Sequence, residues 1–217
     1  MRTLCQPVFF LSELPESAKE AARNWYREHG FDFAWYTTVY EDAASVADIL
    51  GIDMRTRKVK YRDGTTRYDG ISIGFSGFYS QGDGAHLEGR YRYAKNAAKA
   101  IREYAPQDAE LHRIADELQA LQRKNFYRLV ADVKHSGRYS HEFCTNIDVT
   151  LNNDNCSSPS MEVEGKVVQL LRDFMRWIYR ALKNEYEHQS SDEVVDEKLA
   201  EDGTEFTENG NRTIAIH

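Results

Sequence analysis

Apolar positions along this chain recur in two rhythms, one near 3.6 residues and one of two, and each predicts a different kind of element. Ala18, Ala22, Trp25 and His29 sit three or four residues apart behind Leu14-Pro15-Glu16-Ser17. Proline early, acid in the first turn and Gly30 as a stop predict a first helix over 15–29. Val39 or Tyr40, Ala43, Val46 or Ala47 and Leu50 predict a second over 37–50, closed by Gly51. Shorter periodic runs predict helices over 94–104 and 108–124. The longest spans about 161–187, with Val167, Leu171, Phe174, Ile178 and Leu182 on one stripe, widened by Leu170 and Trp177. Ser191 caps a short acidic helix over 192–200.

Alternation takes over in the middle of the chain. Residues 57–62 and 67–75 flank Asp63-Gly64, a strong hairpin signal, and 86–93, 129–135 and 145–151 alternate in the same way. Residues 8–11 read as an edge strand or anchoring segment. Near the C-terminus, Glu208-Asn209-Gly210-Asn211 reads as the turn of a small hairpin between Phe206 and Ile214. Strands gathered centrally, with helices before and after, predict an α+β fold. The expected architecture is one antiparallel sheet of four or five strands with helices packed on one face. The chain is expected to be one domain over 1–217, with 188–217 an acidic C-terminal appendage.

Composition narrows the class without naming an activity. The 217 residues, 41% hydrophobic and 29% charged, are ordinary for a globular protein with its own core. No apolar run approaches membrane-spanning length, and no membrane partner is expected. Cys5, Cys144 and Cys156 lack metal-type spacing and suggest a reducing, cytoplasmic setting. The net charge of −7 is uneven: ten acids and a single lysine between 185 and 208 leave the remainder close to neutral. No broad basic footprint marks the chain as a nucleic-acid binder.

Candidate chemistry concentrates where the strand over 71–75 runs out into Ser76-Gly77-Phe78-Tyr79-Ser80-Gln81-Gly82-Asp83-Gly84. Its glycines permit close backbone approach, while hydroxyls, an amide, two aromatic rings and one carboxylate supply contacts. The stretch fits either a binding loop or a tight structural corner. It matches neither a phosphate-binding P-loop nor a dinucleotide fingerprint, since no Gly-Lys-Ser/Thr follows and the next element reads as a strand. Ser76, Phe78, Tyr79, Ser80, Gln81, Gly82, Asp83 and Gly84, with Arg138 and His141 from a second polar loop over 136–141, form the candidate ligand set. A nucleotide is the ligand considered, bases stacking on Phe78 or Tyr79. Asp83 between two glycines also fits a turn residue bonding its own backbone. His86, Glu88, His135, His141, Glu142 and Asp83 are the candidates for acid/base or metal chemistry at one sheet end, but their spacing matches no metal motif. No catalytic residue, metal or cofactor is assigned. A Cys144–His141 pair competes with a plain buried cysteine. Glu193, Asp196, Glu197 and Glu201 recur at helical spacing and fit either a solvated face or a surface for a protein partner.

The two loops, the long helix and the tail together carry a resemblance. Ile73 to Ala85, Ser136-Gly137-Arg138-Tyr139-Ser140-His141, Trp177-Ile178-Tyr179-Arg180-Ala181-Leu182-Lys183-Asn184-Glu185-Tyr186-Glu187, Ser191-Asp192-Glu193 and Glu205-Phe206-Thr207-Glu208-Asn209-Gly210 resemble a family of small bacteriophage proteins often labelled "antitoxin of a toxin–antitoxin stability system". The likeness runs from about residue 13 to the C-terminus. It implies a phage-encoded protein acting in the host cytoplasm by stoichiometric contact with a host toxin or defence component. It hands over no catalytic residues.

Overall fold

The computed structural model describes residues 6–60, 66–152 and 157–213. The predicted Asp63-Gly64 turn, Cys5, Cys156 and Ile214 lie outside them. The chain folds as two compact units, one spanning Thr37–Lys183 and one built from Met1–Tyr36 with Asn184–His217.

The larger unit is the expected α+β arrangement. Its sheet has four antiparallel strands in the order β2 (Ile52–Met54), β7 (Gly89–Arg92), β8 (Leu129–His135) and β9 (Thr145–Leu151). Along β7, Gly89 and Tyr91 are buried while Arg90 and Arg92 are exposed. That alternation gives the sheet one apolar face, where Ile52, Tyr91, Ala131, Val133 and Val149 are buried. The helices α2 (Thr37–Leu50), α3 (Ala97–Tyr104), α4 (Ala109–Lys124) and α5 (Met161–Gln189) supply the facing side chains, among them Leu50, Ile101, Leu118 and Phe174. Each such large apolar side chain contributes about 1.5–3 kcal/mol on burial. Asp108 starts α4 by accepting from the Leu111 amide at 2.9 Å and also takes the Trp177 indole N–H of α5 at 2.7 Å. The pair Arg113–Asp173, at 2.7 Å, adds a second tie between α4 and α5.

Strand membership departs from the sequence expectation in an informative way. Residues 67–75 and 86–93 are not two unbroken strands. Instead β3 (Thr56–Lys60) pairs with β4 (Thr66–Ile71), β5 (Ile73–Phe75) pairs with β6 (Ala85–Leu87), and β2 pairs with β7. Three residues separate these ladders: Arg55, Ser72 and Glu88. The Arg55 amide donates to the Glu88 carbonyl, Ser72 to Arg55, and Glu88 to Ser72, each at 2.9 Å. Three strands thus exchange partners around a closed ring of backbone hydrogen bonds. Periodicity could not show this, because side-chain alternation continues through a change of partner. The Glu88 carboxylate backs the ring, accepting from the Ser72 hydroxyl at 3.1 Å and from the His135 amide at 3.0 Å.

At the far end of β8, Gln122 is fully buried and grips Leu129 from both sides, accepting from its amide at 3.1 Å and donating to its carbonyl at 2.8 Å. It also donates to the Tyr91 hydroxyl at 3.2 Å, and burial pushes that phenol up to about 12. Between Gln122 and Leu129 the chain turns through Phe126 (φ 54°) and Tyr127 (φ 61°), left-handed conformations that cost an L-residue roughly 1–2 kcal/mol each.

In the smaller unit, α1 (Glu16–Trp25) runs into a wider π-type turn over Tyr26–Gly30, close to the predicted 15–29 helix. The acidic helix α6 (Asp192–Glu201) begins at Ser191 as expected. Beside them β1 (Phe9–Phe10) pairs antiparallel with β10 (Glu205–Phe206), which returns through the predicted turn to Arg212. Leu11, Leu14, Ala18, Ala22, Tyr26, Val195, Leu199 and Phe206 form the core. Arg23, 9% exposed, binds Asp196 through two bonds of 2.7 Å and Glu16 at 3.1 Å, while Arg27 reaches the Ser190 carbonyl at 2.9 Å. Gly210 (φ 77°) lies against α1 so closely that a Cβ there would stand 2.0 Å from the Ala18 carbonyl oxygen.

Acid should weaken the larger unit in a defined window. The Arg102 hydrogen bond holds Asp116 below the ordinary value of 3.8. Burial pushes Asp173 up, but Arg113, Gln169 and Arg176 outweigh it and leave that carboxyl low as well. Both carboxylates contribute stability that is fully present above pH about 4 and lost as pH falls through their lowered values. Thermal melts across the acid range should show the midpoint falling below pH 4, with a shallower fall in Arg102→Gln. Removing the junction carboxylate with Glu88→Ala should cost about 1–3 kcal/mol by denaturant unfolding, since the His135 amide and the Ser72 hydroxyl both lose their acceptor.

Candidate functional site

The 76–84 loop leaves β5 and re-enters β6, and its base is closed by the Ser76 amide donating to the Gly84 carbonyl at 3.1 Å. Inside it, one Asp83 carboxylate oxygen accepts from the amides of Tyr79 (3.0 Å) and Ser80 (2.7 Å). The Asp83 amide donates back to the Ser80 carbonyl at 3.2 Å. Asp83 is therefore a turn residue bonding its own backbone. Gly82 (φ 92°) supplies the left-handed step. Phe78 points inward, with ring centroids 5.8 Å from Phe75 and 5.6 Å from Tyr179. The Tyr179 hydroxyl donates to the Gly77 carbonyl at 3.1 Å, and burial, helped by the negative charge of Asp83, raises that phenol.

The second loop joins β8 to β9 through a short helical turn, Glu142–Cys144. Ser136 and Cys144 close its base at 2.8 Å. A His135 ring nitrogen lies 3.0 Å from the Tyr139 carbonyl. His141 Nδ1 takes the Phe143 amide at 3.2 Å and stands 3.1 Å from Glu142, whose carboxylate is buried and has Arg176 at 3.9 Å on its other oxygen. Cys144 is reduced and lies against Gly137.

The two loops meet. The Ser76 hydroxyl donates to the Ser140 carbonyl at 3.3 Å, and a Cβ on Gly84 would come within 2.9 Å of the His141 ring. A Cβ on Gly82 would lie 3.9 Å from the Tyr139 ring. Beneath them the His86 and His135 rings stack at 3.8 Å, and a Cβ on Gly74 would stand 2.3 Å from His86. A side chain at Gly74 would have to displace the His86 ring, and one at Gly84 would also press on the His141 backbone at 3.1 Å, so both glycines serve close approach independent of any left-handed backbone.

Of the predicted ligand set, Ser76, Phe78, Asp83, Gly84 and His141 hold the loops in shape, while Tyr79, Ser80, Gln81 and Arg138 are exposed at the rim. The rim also contains two rings that sequence reasoning did not single out, Tyr139 (55% exposed) and Phe143 (63%), beside Tyr79 (75%). Arg138 lies 6.0 Å from the Tyr139 ring centroid and Arg172 lies over Phe143 at 4.9 Å. Tyr139 and Phe143 flank His141 in sequence, and that adjacency was the available signal. Among the described residues no group of three His, Cys, Asp or Glu side chains is placed to hold a metal.

The acidic candidates lie in the smaller unit. Asp196 is engaged by Arg23 and Glu201 by Lys198 at 2.8 Å, while Glu193 and Glu197 are exposed. A family profile described as a domain of unknown function, DUF8835, matches residues 35–192. The chain belongs to the DUF8835 family. No match was found among curated proteins or among solved structures. The DUF8835 match contains both loops and the whole of Thr37–Lys183, whereas Glu193, Asp196, Glu197 and Glu201 fall outside it. No helix among the described residues is long and apolar enough to cross a membrane.

Asp83→Ala should leave the global unfolding midpoint of this DUF8835 protein nearly unchanged, because the loop is exposed, yet release the Tyr79 and Ser80 amides. Amide hydrogen exchange should show protection lost at those two positions and retained along β5 and β6.

Proposed function

We propose that this DUF8835 protein is a binding protein that works by stoichiometric contact with a protein partner, through the aromatic rim of its two joined loops. The observation that carries this reading is the exposure of Tyr79, Tyr139 and Phe143 on loops whose backbones are internally cross-bonded. Tyrosine and arginine dominate the energetic centres of protein interfaces, and a surface held rigid before binding loses less entropy on contact. The site's titratable groups point the same way. His135, His141, Asp83 and Glu88 are spent on positioning backbone.

The bacteriophage resemblance supplies the biological setting of the proposal: an antitoxin-like or defence-antagonising role in the cytoplasm of a host cell. Nucleotide binding at 76–84 is favoured less. The Tyr79 and Ser80 amides that would hold a phosphate are occupied by the Asp83 carboxylate, whose charge opposes an anion.

Affinity purification from infected cells, with protein and small-molecule content both read by mass spectrometry, tests the reading. The triple variant Tyr79→Ala, Tyr139→Ala, Phe143→Ala should lose a protein captured by the unaltered chain, by at least tenfold if one ring is a centre of the contact. Charge reversal at Glu193 and Glu197 should leave capture intact. A nucleotide retained in place of a protein would overturn the proposal. Reversal at Asp196 is a poor test, since it breaks the Arg23 pair.

A further inference from the structure

A second exposed aromatic surface lies at the other end of β8, away from both loops, in the sequence Arg123-Lys124-Asn125-Phe126-Tyr127-Arg128. Phe126 is 80% exposed and Tyr127 is about half exposed. Both are held in left-handed backbone, where a bulky side chain is a true outlier. The turn is firmly built: the Tyr127 amide donates to the Gln122 carbonyl at 2.7 Å, Phe126 to Arg123 at 3.3 Å, and Arg128 to Asn125 at 3.1 Å. Tyr93 backs Tyr127, with ring centroids 4.5 Å apart. Among the described residues Phe126 has no comparable ring partner and is 80% exposed, so the strain that sets its ring outward is not repaid by packing there. Strain of this kind points towards a use at the surface.

The turn itself carries charge of one sign. Arg123, Lys124 and Arg128 are exposed, and none of their side chains lies within ion-pair distance of a carboxylate among the described residues. Lys124 does lower the nearby Glu162 carboxyl, but that group is bonded to Lys166. Elsewhere on α4 the pattern is opposite, with Arg113 paired to Glu117 and Asp173. The near-neutral charge of the body conceals this local cluster, because cations such as Lys99, Arg102, Arg113 and Arg180 on α3, α4 and α5 are matched.

We propose that the 123–128 turn is a binding platform for single-stranded nucleic acid. Phe126 offers a ring face for one base, and Arg123, Lys124 and Arg128 meet the phosphates on either side. Charge complementarity selects a polyanion. Within that class, an exposed π face interleaved with cations, and without an exposed aliphatic side chain in the turn, fits unstacked bases better than an acidic protein. Duplex would offer phosphates but no free base face.

Fluorescence anisotropy with a labelled oligothymidylate, and its RNA counterpart, on the full chain at low salt tests this directly. Binding should be present, should favour single strands over duplex, and should weaken with salt. Phe126→Gly should reduce affinity by roughly tenfold or more while raising the thermal midpoint, since glycine relieves the left-handed strain and the ring packs on little. Phe126→Tyr should retain binding. Replacing Arg123, Lys124 or Arg128 by Gln should lower the slope of log affinity against log salt by about 0.7 each. The proposal is overturned if no oligonucleotide binds, if Phe126→Gly binds unchanged, or if duplex binds equally well. Equal binding of poly-glutamate would also overturn it and make the turn a surface for an acidic protein.

Discussion

Three peptide groups, those of Arg55, Ser72 and Glu88, carry the geometry of the larger unit. Each belongs to a strand that leaves one partner and takes up another, a place where a ladder would ordinarily leave backbone groups unmatched. A buried amide without an acceptor costs about 1–3 kcal/mol, comparable to losing a well-packed methyl or two. The ring removes that cost by letting each residue donate to the next, and three ladders can then diverge from one point. Glu88 extends the ring sideways, because its carboxylate takes the His135 amide and so joins the stem of one loop to the root of the other. Without this junction the ladder β5–β6 would have no fixed direction, and the two loops would have no reason to meet.

Rigidity is the common property of the loop site and of the turn at the far end of β8. In the first, a single carboxylate gathers two amides and a tyrosine hydroxyl holds a carbonyl. In the second, a buried glutamine satisfies both backbone groups of Leu129 and its own carbonyl takes the Tyr127 amide. Each displays aromatic rings on a backbone that has little freedom left to lose. The single strand β8 separates them, its His135 end serving the loops and its Leu129 end serving the turn.

Helices and strand faces were legible in the sequence because one-sided burial imposes its period on the residues. Thr37–Leu50 and Thr145–Leu151 emerged with the boundaries that periodicity predicts. Ile52–Met54 was missed, since three residues carry too little alternation to register. The breaks at Ser72 and Glu88 were missed for a deeper reason: changing a backbone partner leaves the side-chain pattern untouched. For the site, polar and glycine content located both loops, but composition could not tell an inward ring from an outward one. Phe78 and Tyr79 are adjacent and similar, yet one packs on Tyr179 and the other faces solvent. Nor could charge counting show that Arg123 and Arg128 lack, among the described residues, the carboxylate neighbours that Arg113 possesses.

The Arg23 pairing sets an order in time. Its helix, residues 16–25, packs on Leu11, Leu14 and Tyr26 close by, but also on Val195, Leu199 and Phe206, and its guanidinium binds Asp196, so a large part of its cover lies more than 160 residues downstream. Translated well before that cover, the amphipathic helix stays partly exposed until α6 and β10 have left the ribosome. The intervening unit, whose strand pairs and helix ties all close within residues 37–183, has time to fold beforehand. That helix is therefore fully buried only after the residues between it and α6 have been made, and a nascent chain stalled before α6 would present part of its apolar face to chaperones and proteases.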